Sequence, residues 1–250
     1  MNTRADRGRQ GRPVPVWPVL GWQGAIAGVV LAGFALDTPA YLAQRPGPSL
    51  VIHAHAALAV GWLLAALAQA WLAARGRRAA HRRLGGWLVG LSAAMVPMGA
   101  VAALVAQARN VASPHYAPEF LALEWEELAG FVLFMGAALA LRRRPEAHKR
   151  LMVLATLAIA PAGFSRAWGH TLGWAPPGAL GWWWQFYGGS ALMLAAMLAW
   201  DLRWRGRPHP ALVLGGLWML AGEALVTRAQ YAPAWGRAMA RLVAAWGWQG

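Results

Sequence analysis

The stretch Val51–Ala74, VIHAHAALAVGWLLAALAQAWLAA, followed at once by RGRRAAHRR at Arg75–Arg83, decides the fold. The first part holds no charged residue and is longer than the roughly 20 residues a helix needs to cross hydrocarbon. The second part is a basic turn of the kind that stays on the cytoplasmic side of a membrane. The same grammar repeats along the chain. Apolar blocks occupy Trp17–Leu36, Val51–Ala74, Leu84–Val105, Phe120–Leu141, Leu151–Trp168, Leu180–Trp200 and Ala211–Val226. They are too long, too rich in Ala and Leu, and too free of alternation for the strands of a membrane barrel. The reading is an all-α polytopic membrane helix bundle with about seven transmembrane helices.

Composition agrees with this. The 250 residues are 58% hydrophobic and 13% charged, more apolar surface than a soluble core of this size hides. The net charge of +14 raises nucleic acid as a partner, but the arrangement of the charge excludes it. Basic residues gather in the arm at Arg4, Arg7, Arg9 and Arg12, and in the turns Arg75–Arg83, Arg142–Arg150 and Arg203–Arg207. The opposite turns and the tail hold only Arg45, Arg109, Arg228, Arg237 and Arg241. That asymmetry predicts a cytoplasmic N-terminus and, after seven crossings, an outside C-terminus, in a bacterial inner membrane. No cleavable leader is expected, because a polar arm precedes the first block and no small-residue cleavage pattern follows it. Residues 1–12 are read as a basic disordered arm, 13–228 as one transmembrane domain and 229–250 as an amphipathic interfacial tail. In that tail Trp235, Met239, Leu242, Val243 and Trp246 recur at helical spacing. Many of the 17 tryptophans fall at block ends, where an aromatic belt is expected.

Two turns look like copies of each other: AAHRRLG at Ala79–Gly85 and EAHKRLM at Glu146–Met152. Each closes a helical hairpin, so helices 2–3 and 4–5 read as an internal duplication in one orientation. With their surroundings these turns carry a wider pattern. His55 is followed by Gln69, His81-Arg82 by Gly85, and His148-Lys149-Arg150 by Met152 and then Arg166. The chain resembles in this a family of uncharacterised multi-pass bacterial membrane proteins whose domain has no assigned function. The resemblance covers roughly half of the chain and implies topology but no chemistry.

Chemistry is sought in the ionisable groups inside the blocks, since each is costly in hydrocarbon without a partner or a wet cavity. Asp37, His53, His55, Glu124, Glu127, Arg166, His170 and Glu223 all fall toward the outer ends of their helices. Glu124 and Glu127 share a helix face, as do Arg166 and His170, whereas Glu126 is expected to meet the headgroups. A pocket between these faces suits a divalent metal on His55, Glu127 and His170, with Glu124, Arg166, Glu223 and Asp37 around it. A b-type haem is the competing cofactor, with His55 and His170 at the outer level and His81 and His148 at the inner one. A redox or cofactor-handling role with a quinone or other small-molecule partner follows from either. Transport or sensing of a small solute is the third reading, for which Pro97 and Pro161 supply breaks at similar depth. The fourth is structural: an Arg166–Glu127 ion pair that fixes packing and binds nothing. With no cysteine, thiolate sites and disulfides do not arise, and no hydrolase or phosphate-loop motif occurs.

Overall fold

In the computed structural model the chain is all-α, and among the described residues there is no strand. The described residues are 17–44, 47–114, 116–172 and 177–247, with the backbone alone for 170–172. The expectations for the arm 1–12, Arg45 and the side chain of His170 lie outside them.

The helices are α1 (Val19–Leu42), α2 (Leu50–Ala74), α3 (Arg78–Arg109), α4 (Leu121–Ala140), α5 (Pro145–Ala158), α6 (Pro161–Leu172), α7 (Gly178–Arg205), α8 (Pro210–Gln230) and α9 (Pro233–Trp246). Local chemistry sets their ends. Ser49 caps α2 by accepting from Ile52 N–H, and His209 Nδ1 caps α8 by accepting from Ala211 N–H at 3.1 Å. Proline opens α5, α8 and α9, where its missing N–H removes no helical bond. Gly206, at φ 72°, closes α7 in the left-handed conformation that a side chain resists.

Four helices, α1, α2, α3 and α8, are long and apolar enough to cross a membrane, and α5 with α6 makes a fifth if the bent pair is one span. The fifth apolar block, read as one helix, is broken. Pro161 lacks the N–H that would continue α5, and the axes of α5 and α6 differ by 54°. Pro97 has no such effect, since α3 runs through it from Arg78 to Arg109. Helix α4 is of spanning length but carries Glu124, Glu126 and Glu127, and α7 is diluted by Trp182–Trp184, Gln185 and Gly188–Gly189.

The most extensive helix–helix contacts are those of α2 on α3 and of α4 on α5, each pair joined by a short turn. One histidine clasps each of these two hairpins. His81 Nδ1 meets Gln69 O at 3.2 Å while Gln69 Nε2 donates to His81 O at 3.0 Å. His148 Nδ1 meets Ala138 O at 2.8 Å. A Cβ on Gly85 would sit 3.2 Å from Gln69 Nε2, so the glycine makes room for the clasp.

Elsewhere the helices approach through glycine, whose missing side chain lets two backbones come close. Gly33 on α1 lies directly on the backbone of Gly163 on α6, and a Cβ on Gly163 would stand 2.7 Å from Val30 Cα. On α8, Gly215, Gly216 and Gly222 face Leu154, Leu194 and Glu126. Large apolar side chains remain outside: Leu50, Trp87, Leu180, Leu214 and Leu225 are each about two-thirds or more exposed. Helix α9 buries Met239 and Val243 against Ala103 and Leu121 and leaves Leu242 and Trp246, which share their helical spacing, exposed.

Candidate functional site

Two polar clusters lie at opposite ends of the bundle. At the end holding the C-terminus of α1 and the N-termini of α4 and α7, carboxyl groups gather between α4, α6, α7 and α8. Glu223 on α8 is 2% exposed and accepts from Trp183 Nε1 at 3.1 Å. Glu126 on α4 reaches α8, its Oε1 lying 2.7 Å from where a Cβ of Gly222 would be. This corrects the expectation that Glu126 meets the headgroups: the missing side chain at position 222 draws its carboxyl into the α4–α8 seam.

Glu127 faces the break between α5 and α6, beside the backbone N–H of Ala162. That N–H belongs to the first turn of α6, one of the four a helix leaves unpaired, at the positive end of the helix dipole. Glu127 Oε1 and Glu124 Oε2 are buried with no hydrogen-bond partner among the described residues. Tyr187 on α7 is 1% exposed and its hydroxyl is likewise unpartnered, within electrostatic reach of Glu126, Glu127 and Glu223. A buried hydroxyl and two carboxyl oxygens without partners make a site equipped to hold something.

Arg166 is the cation nearest these carboxyl groups, and it pairs with Asp37 rather than with Glu127. Its Nε donates to Asp37 Oδ2 at 3.0 Å, its Nη1 to Ala162 O at 2.9 Å, and its guanidinium lies 4.5 Å from the Phe34 ring centre. The ion pair thus ties α1 to α6 beside their glycine contact. Its field reaches Glu124 and Glu127 without a contact to either.

The histidines divide. His55 is half-buried on α2, which packs chiefly on α1 and α3, and no described contact joins it to Glu127. His53 is exposed beside Tyr41, with ring centres 6.3 Å apart. His81 and His148 each commit one ring nitrogen to a hairpin clasp. Their helices, α3 and α5, pack mainly on other neighbours. Among the described residues no three His, Asp or Glu side chains are arranged to hold a metal ion.

At the other end, Arg150 and Asp201 form a fully buried pair, with Nη2 to Oδ1 at 2.5 Å and Nε to Oδ2 at 3.2 Å. Arg150 Nη1 also donates to Glu146 Oε2 at 2.7 Å and to Glu146 O at 3.0 Å, and its guanidinium lies 4.8 Å from the Trp17 ring centre. Asp201 Oδ2 accepts the His209 N–H at 2.9 Å. Burial, then the charges of Arg150 and Arg205, push the His209 imidazole below its usual 6.5. Glu146 accepts from Lys149 Nζ at 2.6 Å as well as from Arg150. With each group of the pair matched, this network joins α5, α7, the start of α8 and Trp17, and it reads as a fastening.

Sequence reasoning placed Glu124, Glu127, Arg166, Asp37 and Glu223 at one end and missed Tyr187, Trp183 and the Arg150–Asp201 pair. Asp201 was legible in principle: it is the one acid in the last three turns of α7, opposite the basic turn that opens α5. Tyr187 gives no such signal, since a tyrosine among tryptophans reads as belt. Compared with known protein families, curated proteins and solved structures, the chain matches none.

Proposed function

We propose that the chain is a seven-pass membrane protein of the bacterial inner membrane, N-terminus cytoplasmic and C-terminus outside. Its acid pocket between α4, α6, α7 and α8 takes up a small cationic solute from the outer side in exchange for protons. The observation that carries this reading is the imbalance of the pocket. Glu124, Glu126, Glu127 and Glu223 converge with Tyr187, while Arg166, the cation beside them, is engaged by Asp37. Carboxylates crowded in hydrocarbon are neutralised by bound protons or by a cation from solution, and alternation between the two is the chemistry of exchange. The broken α5–α6 pair supports transport, because solute sites form where a discontinuous helix exposes unpaired backbone to the pocket. The seven passes and their orientation rest on the antiparallel hairpins and on the arginines of the turns Arg75–Arg83, Arg142–Arg150 and Arg203–Arg207.

The test is proton flux. The protein is reconstituted in liposomes enclosing a pH-sensitive dye, and a battery of small organic amines and monovalent cations is added outside. Amine- or cation-dependent alkalinisation of the lumen that is absent from protein-free liposomes and lost in Glu127→Gln and Glu223→Gln supports the proposal. Flux that is absent for every cation, or unchanged in both variants while the Gly136→Leu control behaves as wild type, overturns it.

A further inference from the structure

At the opposite end from the acid pocket, an apolar groove of about 840 Å³ opens between the end of α4, the start of α5 and the start of α8. Its walls are Leu133, Ala137, Leu151, Leu214 and Trp218, and its mouth is formed by Arg144 and His209. Leu214 and Trp218 stand half-exposed or more along one rim, so the groove is open to whatever surrounds the bundle. From Ala211 to Trp218 the α8 wall rises about 10 Å, about two-thirds of the 15 Å of hydrocarbon in one leaflet.

We infer that this groove seats one acyl chain of an anionic phospholipid whose phosphate is held by Arg144. Charge complementarity selects the occupant. Arg144 is exposed and its guanidinium has no hydrogen-bond or ion-pair partner among the described residues, whereas Arg142 bonds Leu139 O at 3.0 Å. The acid at the mouth, Glu146, does not cancel it, since Glu146 is taken up by Lys149 and Arg150. A guanidinium above an apolar slot fits a phosphodiester with a hydrocarbon tail, and a second copy of the basic turn would repel it. The inference rests on the membrane reading and not on the acid pocket.

The test uses the delipidated full chain in maltoside detergent, titrated with phosphatidylglycerol or with phosphatidylcholine of the same acyl chains. Binding is read by native mass spectrometry and by the unfolding temperature. Phosphatidylglycerol is expected to bind more tightly and to raise the unfolding temperature more. Arg144→Gln, a change on an exposed side chain, weakens it roughly fivefold to the phosphatidylcholine level. Ala137→Phe plugs the groove and weakens both lipids. Equal affinity for the two lipids, an Arg144→Gln variant that binds like wild type, or a dimer that Ala137→Phe dissociates without any lipid effect each overturns the inference.

Discussion

Replacing Asp201 by Ala strands Arg150. The guanidinium is fully buried and loses two charge-assisted hydrogen bonds at 2.5 and 3.2 Å, while the His209 N–H loses its acceptor. Removing one member of a buried ion pair costs about 3–5 kcal/mol, because the remaining charge stays out of water. Glu146 and the Trp17 ring still face the guanidinium, which places the expected loss toward the lower figure. Asp201→Asn keeps one acceptor oxygen and should cost about 1.5–3 kcal/mol. The double variant Arg150→Met, Asp201→Leu removes both charges and should recover most of the loss, since apolar replacements of buried pairs are often neutral or better. Reversible unfolding in mixed detergent micelles, followed by tryptophan fluorescence, measures all three. A loss under about 1 kcal/mol for Asp201→Ala, or a double variant no better than the single one, refutes the claim that this pair fastens α5 to α7.

Gly163→Leu drives a side chain into the backbone of α1 at Val30 and should cost about 1–3 kcal/mol or more in the same assay, whereas Gly136→Leu, with open space around it, stays within about 0.5 kcal/mol. His81→Ala opens the clasp with Gln69 and should lower stability by about 1 kcal/mol without changing proton flux, while a matching loss of flux would contradict the purely structural role. His209 has its imidazole pKa lowered by folding, so the unfolded chain binds its proton first. Its contribution is therefore complete above pH 6.5 and is lost as pH falls through the lower folded value. His209→Asn keeps a capping oxygen and should flatten the pH dependence of the unfolding midpoint below 6.5, and an unchanged slope would show that another group sets it.

The helical blocks were legible because hydrocarbon imposes length and polarity on each span, as in Val51–Ala74. Boundaries were less so. The last block, short on paper at Ala211–Val226, gains a turn at its far end because Gln230 and Arg228 still satisfy helical geometry at the rim. Pro97 and Pro161 look alike in sequence, yet α3 absorbs Pro97 unbroken while Pro161 splits the block Leu151–Trp168 into two helices. Of the site, helical spacing put Glu124 and Glu127 on one face, and depth placed Arg166 and Asp37 together. What spacing along one helix did not carry was pairing between helices. The choice of Asp37 over Glu127 by Arg166 depends on the backbone approach of Gly33 to Gly163, which brings α1 against α6. The burial of Glu126 depends on Gly222, a residue on another helix.

Because the chain contains no cysteine, single-cysteine variants report sidedness without background. A membrane-impermeant maleimide applied to intact cells and to inverted vesicles should label Gly76→Cys, Arg143→Cys and Gly206→Cys only from the cytoplasmic side. Val111→Cys and Tyr231→Cys should react only from outside. Labelling of Gly76→Cys and Val111→Cys from the same face would contradict a bundle of alternating spans, and with it the placing of the acid pocket at the outer end.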